Sequence, residues 1–287
     1  MEIDGKTRTC GLIGNPVEHT LSPIIHNTLA ERFSHNLVYV PFLVESGKIG
    51  DAVKGAEALR ILGLNVTVPY KSEVIPWLKE VDPLAEAIGA VNTLVSVRGG
   101  FKGYNTDMTG LYRAMESEGI RIEGEEIILL GAGGASRAVA YLCAAKGAKR
   151  IYLLNRTLDK ARKVAGEVND RTGREAILPM RLEEYEKLPK GKYLAIQGTS
   201  VGLAPHTDAA VIEDKAFYGN IHTGFDLIYS PWETKFMRLV RENGGEAYNG
   251  LKMLLYQGVI AYELWNGVQV SGEDAKEVYE KLKSYFV

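Results

Sequence analysis

Cysteine is nearly absent. Cys10 and Cys143 are the two in 287 residues, too few for a disulfide framework, and with five scattered histidines they form no spaced zinc site. No apolar run approaches the roughly 18 residues that span a bilayer, so no membrane partner is expected. The opening Met1-Glu2-Ile3-Asp4-Gly5-Lys6 lacks the apolar run of a signal peptide, which makes a cytoplasmic location the expectation. An excess of one charge is also missing. The 34 Lys and Arg face 36 Asp and Glu for a net charge of -2, so no whole-chain field favours a phosphate backbone and nucleic acid is not an expected partner. Neither a repeat of about 20 to 50 residues nor a low-complexity tract is present, which sets aside solenoids and disordered linkers.

What remains is ordinary globular usage, 46% hydrophobic and 24% charged. At about 150 residues per domain, the length supports two cores. The spacing predicts strands over 9–13, 37–42 and 63–68, with helices after Ser22-Pro23 and over 46–62. Strands separated by amphipathic helices imply a largely parallel sheet covered on both faces. A helix is predicted over 108–118, with Asp107 as its N-terminal cap and Gly119 as its stop, and the first domain boundary is placed here. A second series follows, with strands at 127–130, 150–154, 193–197 and 224–227. Helical spacing over 251–265 and 273–285 closes the chain and is expected to return to the first domain. The predicted domains are 1–107, completed by 250–287, and 108–249. A chain that passes twice through one hinge favours a cleft that opens and closes around a ligand.

The strand at 127–130 runs into Gly131-Ala132-Gly133-Gly134-Ala135-Ser136-Arg137-Ala138 and an alanine-rich helix. Gly131 permits a tight turn, Gly133 lets the backbone approach a pyrophosphate, and the helix opening presents unpaired N–H groups to phosphate charge. Alone this is a weak signal. Glycine turns also occur in α/β folds that bind nothing, and Ser136 stands where the fingerprint has its third glycine. The end of the next strand strengthens it. A NAD-binding fold carries Asp or Glu there for the ribose hydroxyls, whereas this chain has Asn155-Arg156-Thr157, with Lys160 one turn later. The missing carboxylate removes a repulsion, and the cations offer charge-assisted hydrogen bonds to a 2′-phosphate. The cofactor read from these residues is NADP, on a Rossmann-type second domain. Arg162 and Lys163 read as a solvated helix face.

Four polar clusters stand at predicted strand ends or loops of the first half: 15–23, 65–71, 89–93 and 103–107. Singly, each has a structural explanation. Ser22 and Asp107 read as helix caps, Asn92 as a turn residue and Lys71 as a solvated lysine. No nucleophile is paired with a base.

Taken together and in order, with Asn65-Val66-Thr67-Val68-Pro69-Tyr70-Lys71, Gly103-Tyr104-Asn105-Thr106-Asp107 and the glycine turn, the sequence resembles the shikimate dehydrogenase family, including its quinate/shikimate branch. Asp226-Leu227-Ile228-Tyr229-Ser230-Pro231 with Thr234, and Asn249-Gly250 through Gln257-Gly258, extend the resemblance over roughly residues 10–265. It implies two α/β domains, an N-terminal substrate domain and a Rossmann-type NADP-binding domain. The implied activity is NADP-linked reduction of 3-dehydroshikimate to shikimate, on the route to aromatic amino acids, with no metal. It implies Lys71 and Asp107 as the catalytic pair. Thr20 and Ser22, assisted by Tyr229, would hold the substrate carboxylate, and Thr67, Asn92, Asp107 and Gln257 the ring hydroxyls. Gly131, Ala132, Gly133, Gly134, Ala135, Asn155, Arg156, Thr157, Lys160, Leu227 and Gly250 would face the cofactor.

Several positions depart from the family pattern. Thr20-Leu21-Ser22 replaces a Ser-x-Ser pair, Ser230 replaces the usual Asn after Tyr229, and Gln197-Gly198-Thr199-Ser200 replaces an Asn-Thr-Thr-like strand end. Lys160 gives a point charge where an arginine fork is more usual. Lys71 is open to two roles, acid/base or electrostatic anchor. A quinate/shikimate dehydrogenase using NAD or NADP is one alternative, against which the Thr67 methyl, near Tyr39 and Gln257, casts a modest vote by crowding the extra hydroxyl of quinate. A non-catalytic NADP-binding sensor is another, and it would not need both Lys71 and Asp107. A methyltransferase using the glycine turn is disfavoured by Asn155-Arg156-Thr157. An exposed edge of the first domain offers a homodimer contact, which composition does not select.

Overall fold

The computed structural model describes residues 2–286. The chain opens with β1 (Arg8–Gly14), α1 (Ser22–Arg32), β2 (Leu37–Leu43), α2 (Ile49–Ala58), β3 (Gly63–Val66), β4 (Glu80–Val81), α3 (Pro83–Ile88), β5 (Thr93–Val97), β6 (Gly100–Tyr104) and α4 (Thr106–Ser117). It continues through β7 (Glu126–Leu130), α5 (Gly134–Ala145), β8 (Arg150–Asn155), α6 (Leu158–Thr172), β9 (Ile177–Arg181), β10 (Tyr193–Gln197), α7 (Lys215–Tyr218), β11 (Ile221–Asp226), α8 (Lys235–Glu242) and β12 (Glu246–Tyr248). It ends with α9 (Leu251–Asn266) and α10 (Gly272–Lys283). Two compact units result, Met1–Arg113 with Met253–Tyr285, and Ala114–Lys252 with Phe286–Val287.

The first unit is built on a six-stranded sheet in the order β2-β1-β3-β5-β6-β4. β1 pairs in parallel with β2 and β3, and β4 with β6, but β3 to β5 and β5 to β6 are antiparallel. The sheet is therefore mixed, not largely parallel as the pattern suggested. The cause is local: Arg98-Gly99 closes a hairpin between the paired residues Val97 and Gly100, with Gly99 at φ +80° and Gly100 at φ +141°. α2 is shorter than the predicted 46–62. Arg60 turns left-handed at φ +56° and the Ile61 amide returns to the Ala56 carbonyl at 2.9 Å, a helix stop made without the glycine that normally signals one. α10 starts at a reciprocal box in which the Ser271 hydroxyl accepts from the Asp274 amide (3.1 Å). It is tied to α1 by Arg32, which pairs with Asp274 at 2.5 Å and Glu277 at 3.1 Å. Trp265 of α9 donates from Nε1 to the Leu94 carbonyl (2.9 Å) over Gly63, where a Cβ would lie 2.0 Å from the indole nitrogen.

The second unit has six strands, all parallel, in the order β12-β11-β10-β7-β8-β9. The chain starts in the middle at β7, winds outward to β9, returns to β10 and winds out the other way. Strand order thus reverses between β7 and β10, and ligands of such sheets sit at the carboxyl ends of the strands at that point. Ile127, Ile128, Leu129 and Leu130 are all fully buried, the continuous apolar run that a parallel strand covered on both faces requires. The pattern missed β9 and β12 because both are edge strands: β9 carries Pro179, tolerated only at an edge, and β12 has three residues.

Candidate functional site

In the first unit, Lys71 leaves a turn fixed on both sides. The buried Tyr70 hydroxyl donates to the Val44 carbonyl (2.7 Å), and the Lys71 carbonyl accepts from the Val91 amide (2.7 Å). Its Nζ donates to Asp107 Oδ2 at 2.6 Å. Asp107 is not the cap of α4. The helix starts at Thr106, the Asn105 side chain accepts from the Met108 amide (3.3 Å), and Asp107 sits inside the first turn. An anion is favoured there by the helix dipole. Asn92 is not a turn residue either. Its Nδ2 donates to Asp107 Oδ1 (2.9 Å) and Thr106 Oγ1 (3.0 Å), while its Oδ1 accepts the Thr106 amide (2.7 Å). Thr106 is a contributor that reading the sequence did not assign. The carboxylate is thus held at both oxygens, and the Lys71 and Asp107 side chains remain 32% and 24% exposed, reachable by a ligand.

Thr20 Oγ1 donates to Ser22 Oγ at 3.2 Å, which sets two hydroxyls side by side as a carboxylate would need. Ser22 is the first residue of α1, and the capping position is Leu21, with no side-chain cap bond. Thr67 lays its methyl against Gly14, where a Cβ would stand 2.2 Å from Thr67 Cγ2. The methyl therefore has a structural partner, which weakens the expectation that it crowds a larger ligand. A Cβ on Gly110 would lie 2.6 Å from the Gln257 amide nitrogen, so the missing side chain allows α9 to approach α4 one turn beyond Asp107. Gln257 donates from Nε2 to the Leu254 carbonyl (2.9 Å).

The second unit carries the nucleotide-binding features. Gly131 has φ +103°, and a Cβ there would meet Thr199 Cγ2 at 2.6 Å, so the turn demands glycine. Gly133, the N-cap of α5, and Gly134 have nothing within 4 Å of where a Cβ would stand, which leaves their backbone open to close approach. Ser136 is fully buried, and its Oγ donates to the Gly198 carbonyl (3.0 Å), so the departure from glycine is a satisfied hydrogen bond between α5 and the end of β10. Gln197 braces that same strand end, accepting the Thr199 amide (2.6 Å) and donating to the Val201 carbonyl (3.0 Å). A groove of about 320 Å³ opens over the turn, lined by Ala132, Gly133, Gly134, Arg137, Lys160 and Lys163 among others. Lys163 belongs to this lining instead of to a purely solvated face, and Arg137 is a groove cation that the sequence motif did not single out. Both face Glu167, Arg137 at 3.6 Å and Lys163 at 4.0 Å. Among the described residues, no carboxylate pairs with Arg156 or Lys160, and both are exposed. Asn155 donates from Nδ2 to the Thr157 carbonyl (2.8 Å), shaping the loop that carries Arg156. Ala135 lies in the first turn of α5.

The open glycine backbone, the start of a twelve-residue helix and unpaired cations at the end of β8 together fit an NADP pyrophosphate and 2′-phosphate. A Cβ on Gly250 would fall 2.2 Å from the Leu227 carbonyl oxygen, so these two positions are in backbone contact. Tyr229 lies in the same unit, edge-on to Phe286 with ring centroids 5.9 Å apart, and burial pushes its phenol up, which keeps it a hydrogen-bond donor. The loop that carries Leu227 and Tyr229 is anchored by Asp226. Its carboxylate accepts the Ile228 amide (3.0 Å) and the Thr234 hydroxyl (2.6 Å), yet burial outweighs both and pushes its pKa to about 6.

Three segments match known family domains: residues 12–94 the shikimate dehydrogenase substrate binding domain, 114–191 the shikimate/quinate 5-dehydrogenase domain, and 250–280 the shikimate 5′-dehydrogenase C-terminal domain. A shikimate dehydrogenase (NADP(+)) of Desulforamulus reducens is 41% identical over 281 residues, 97% of each chain. Among solved structures, a shikimate dehydrogenase in complex with NADP+ is 35% identical with a TM-score of 0.87, covering 98% of this chain and 97% of that one. The shikimate 5-dehydrogenase of Listeria monocytogenes, in complex with shikimate and NAD, is 30% identical with a TM-score of 0.89 over 98% of both chains. With the Lys71, Asp107 and Asn92 cluster on one unit and the open glycine turn on the other, the chain belongs to the shikimate dehydrogenase family.

Proposed function

We propose that the protein catalyses the reversible NADP-dependent reduction of 3-dehydroshikimate to shikimate, with the first unit holding the substrate and the second the cofactor. The observation that carries this reading is the 2.6 Å contact between Lys71 and Asp107, with Asn92 on the second carboxylate oxygen. NADPH, when bound, supplies the hydride, and the protein's task is to orient a small polyol acid and handle one proton. In the reducing direction Lys71 gives a proton from Nζ to the carbonyl oxygen as it gains negative charge. In the oxidising direction its amine takes the proton of the hydroxyl. Asp107, fixed through Asn92, holds Lys71 at one oxygen and accepts from a ring hydroxyl. The paired hydroxyls of Thr20 and Ser22 donate to the substrate carboxylate, Thr67 and Gln257 meet the remaining hydroxyls, and Tyr229, on the second unit, keeps a protonated phenol as a further donor. Such a reaction on soluble metabolites suits a cytoplasmic protein, and no helix among the described residues is long and apolar enough to cross a membrane.

Lys71→Ala tests the assignment. Loss of the proton donor lowers kcat by about a hundredfold or more with a nearly unchanged KM for shikimate. A preserved kcat with a raised KM would reduce Lys71 to an electrostatic anchor.

A further inference from the structure

We propose that the buried Asn65 is a positioning residue that holds Asn92, and through it Asp107 and Lys71, in place. The inference rests on the functional reading above. Asn65 is 3% exposed, and its carboxamide is saturated. Oδ1 accepts from the Tyr39 hydroxyl (2.8 Å) and from His26 Nε2 (3.1 Å), and Nδ2 donates to the Asn92 carbonyl (3.3 Å) and to Thr93 Oγ1 (3.1 Å). An amide that already makes two acceptor and two donor bonds has nothing left for a substrate. Its role is exercised through its neighbours.

Two backbone groups decide which way every amide in the chain points. The Asn92 carbonyl can only accept, so the Asn65 nitrogen must face it and the Asn65 oxygen must face Tyr39 and His26. His26 then carries its proton on Nε2. That tautomer matches its surroundings: the ring is fully buried and stacked on Tyr39 with centroids 4.2 Å apart, Nδ1 has no partner, and burial holds the group neutral, with its pKa lowered to about 3. The second backbone group is the Thr106 amide, which can only donate, so the Asn92 oxygen must face it and the Asn92 nitrogen must face Asp107. Thr93 couples the two amides, accepting from Asn65 Nδ2 and lying 3.2 Å from Asn92 Oδ1 and 3.1 Å from Thr106 Oγ1. Asn65 and Thr93 thus hold Asn92 in place, the Thr106 amide sets its direction, and Lys71 meets a carboxylate with one orientation. Two buried amides with every donor and acceptor engaged specify a single arrangement, and errors of about 1 Å at a reacting centre cost about a hundredfold in rate.

The test uses the full-length protein in shikimate oxidation with NADP. Thr93→Val keeps the shape and removes the coupling hydroxyl, and Asn65→Ala removes the hub. Both are measured on samples with native circular dichroism, well below their melting temperatures. The expected result is a fall in kcat of about fivefold for Thr93→Val and more for Asn65→Ala, with the KM for NADP unchanged. A double-mutant cycle of Thr93→Val with Asp107→Asn supplies the readout that a merely structural role would not move. If both act through one carboxylate, the combined loss is smaller than the product of the single losses. Should Asn65→Ala not fold, Thr93→Val and the cycle decide alone. Unchanged kcat in folded Thr93→Val, or losses that multiply, would overturn the proposal while wild-type turnover keeps the functional reading intact. A wild type without turnover would defeat that reading first.

Discussion

Arg156→Ala is the perturbation whose consequence follows most directly from the second unit. Arg162 pairs with Asp159 at 3.3 Å, and Arg137 and Lys163 share Glu167, so those cations are partly neutralised before any ligand arrives. Among the described residues Arg156 has no such carboxylate, and its guanidinium can meet a 2′-phosphate without breaking an existing pair. A hydrogen bond to a charged group is worth about 1.5–3 kcal/mol, and each 1.4 kcal/mol is about a factor of ten. The variant should therefore raise the KM for NADP about 10- to 100-fold, with kcat at saturation little changed and the KM for NAD unmoved, because NAD lacks the phosphate. Initial rates of nicotinamide absorbance with shikimate saturating, titrating each cofactor at two salt concentrations, measure this. The NADP advantage of the wild type should also shrink at high salt, as the exposed site is screened. An equal loss with NAD and NADP would refute the reasoning, since it would place Arg156 in the loop's structure and not on the phosphate.

Three further outcomes follow from contacts described above. Gly250→Ala forces a methyl to within 2.2 Å of the Leu227 carbonyl unless the backbone yields, so activity should fall about tenfold or more while the protein stays folded; wild-type rates from the variant would show that this contact does not shape the site. Gly63→Ala drives a Cβ to 2.0 Å from the Trp265 indole and strains its bond to Leu94, which should cost about 1–3 kcal/mol and lower Tm by several degrees in a thermal melt; an unchanged Tm would count against the close packing of β3 on α9. Asp226, whose folded pKa near 6 lies above its ordinary 3.8, contributes stability that is present below about pH 4 and lost as pH rises through 6, about 3 kcal/mol in all. Urea titrations should therefore show Asp226→Asn gaining on the wild type between pH 4 and pH 7, and a difference independent of pH would contradict the assignment.

How much of this was legible in the sequence depended on whether the signal was local. The glycine turn, the basic residues ending β8 and the buried runs of β7 and β8 each sit within a few residues and were readable. Asp107 and Asn92 illustrate the opposite case. By local rules they are a cap and a turn residue, and only the placement of β5 beside β3 and the start of α4 turns them into a bracketed carboxylate. Asn65 stood out as the start of the 65–71 motif, but its role was not legible, because its partners Tyr39, His26 and Thr93 are 26, 39 and 28 residues away. The mixed sheet was hidden by a hairpin whose only mark is Arg98-Gly99-Gly100, and the end of α2 by an arginine in a glycine's conformation.

Hydride transfer between NADP and shikimate is checked by initial rates with purified protein on shikimate and quinate, each with NADP and with NAD. Turnover with shikimate and NADP should lie well above that of the other three combinations. Comparable rates with quinate or NAD would move the protein to the broader quinate/shikimate branch, and no turnover in any of the four, from folded protein that still binds NADP, would contradict the account.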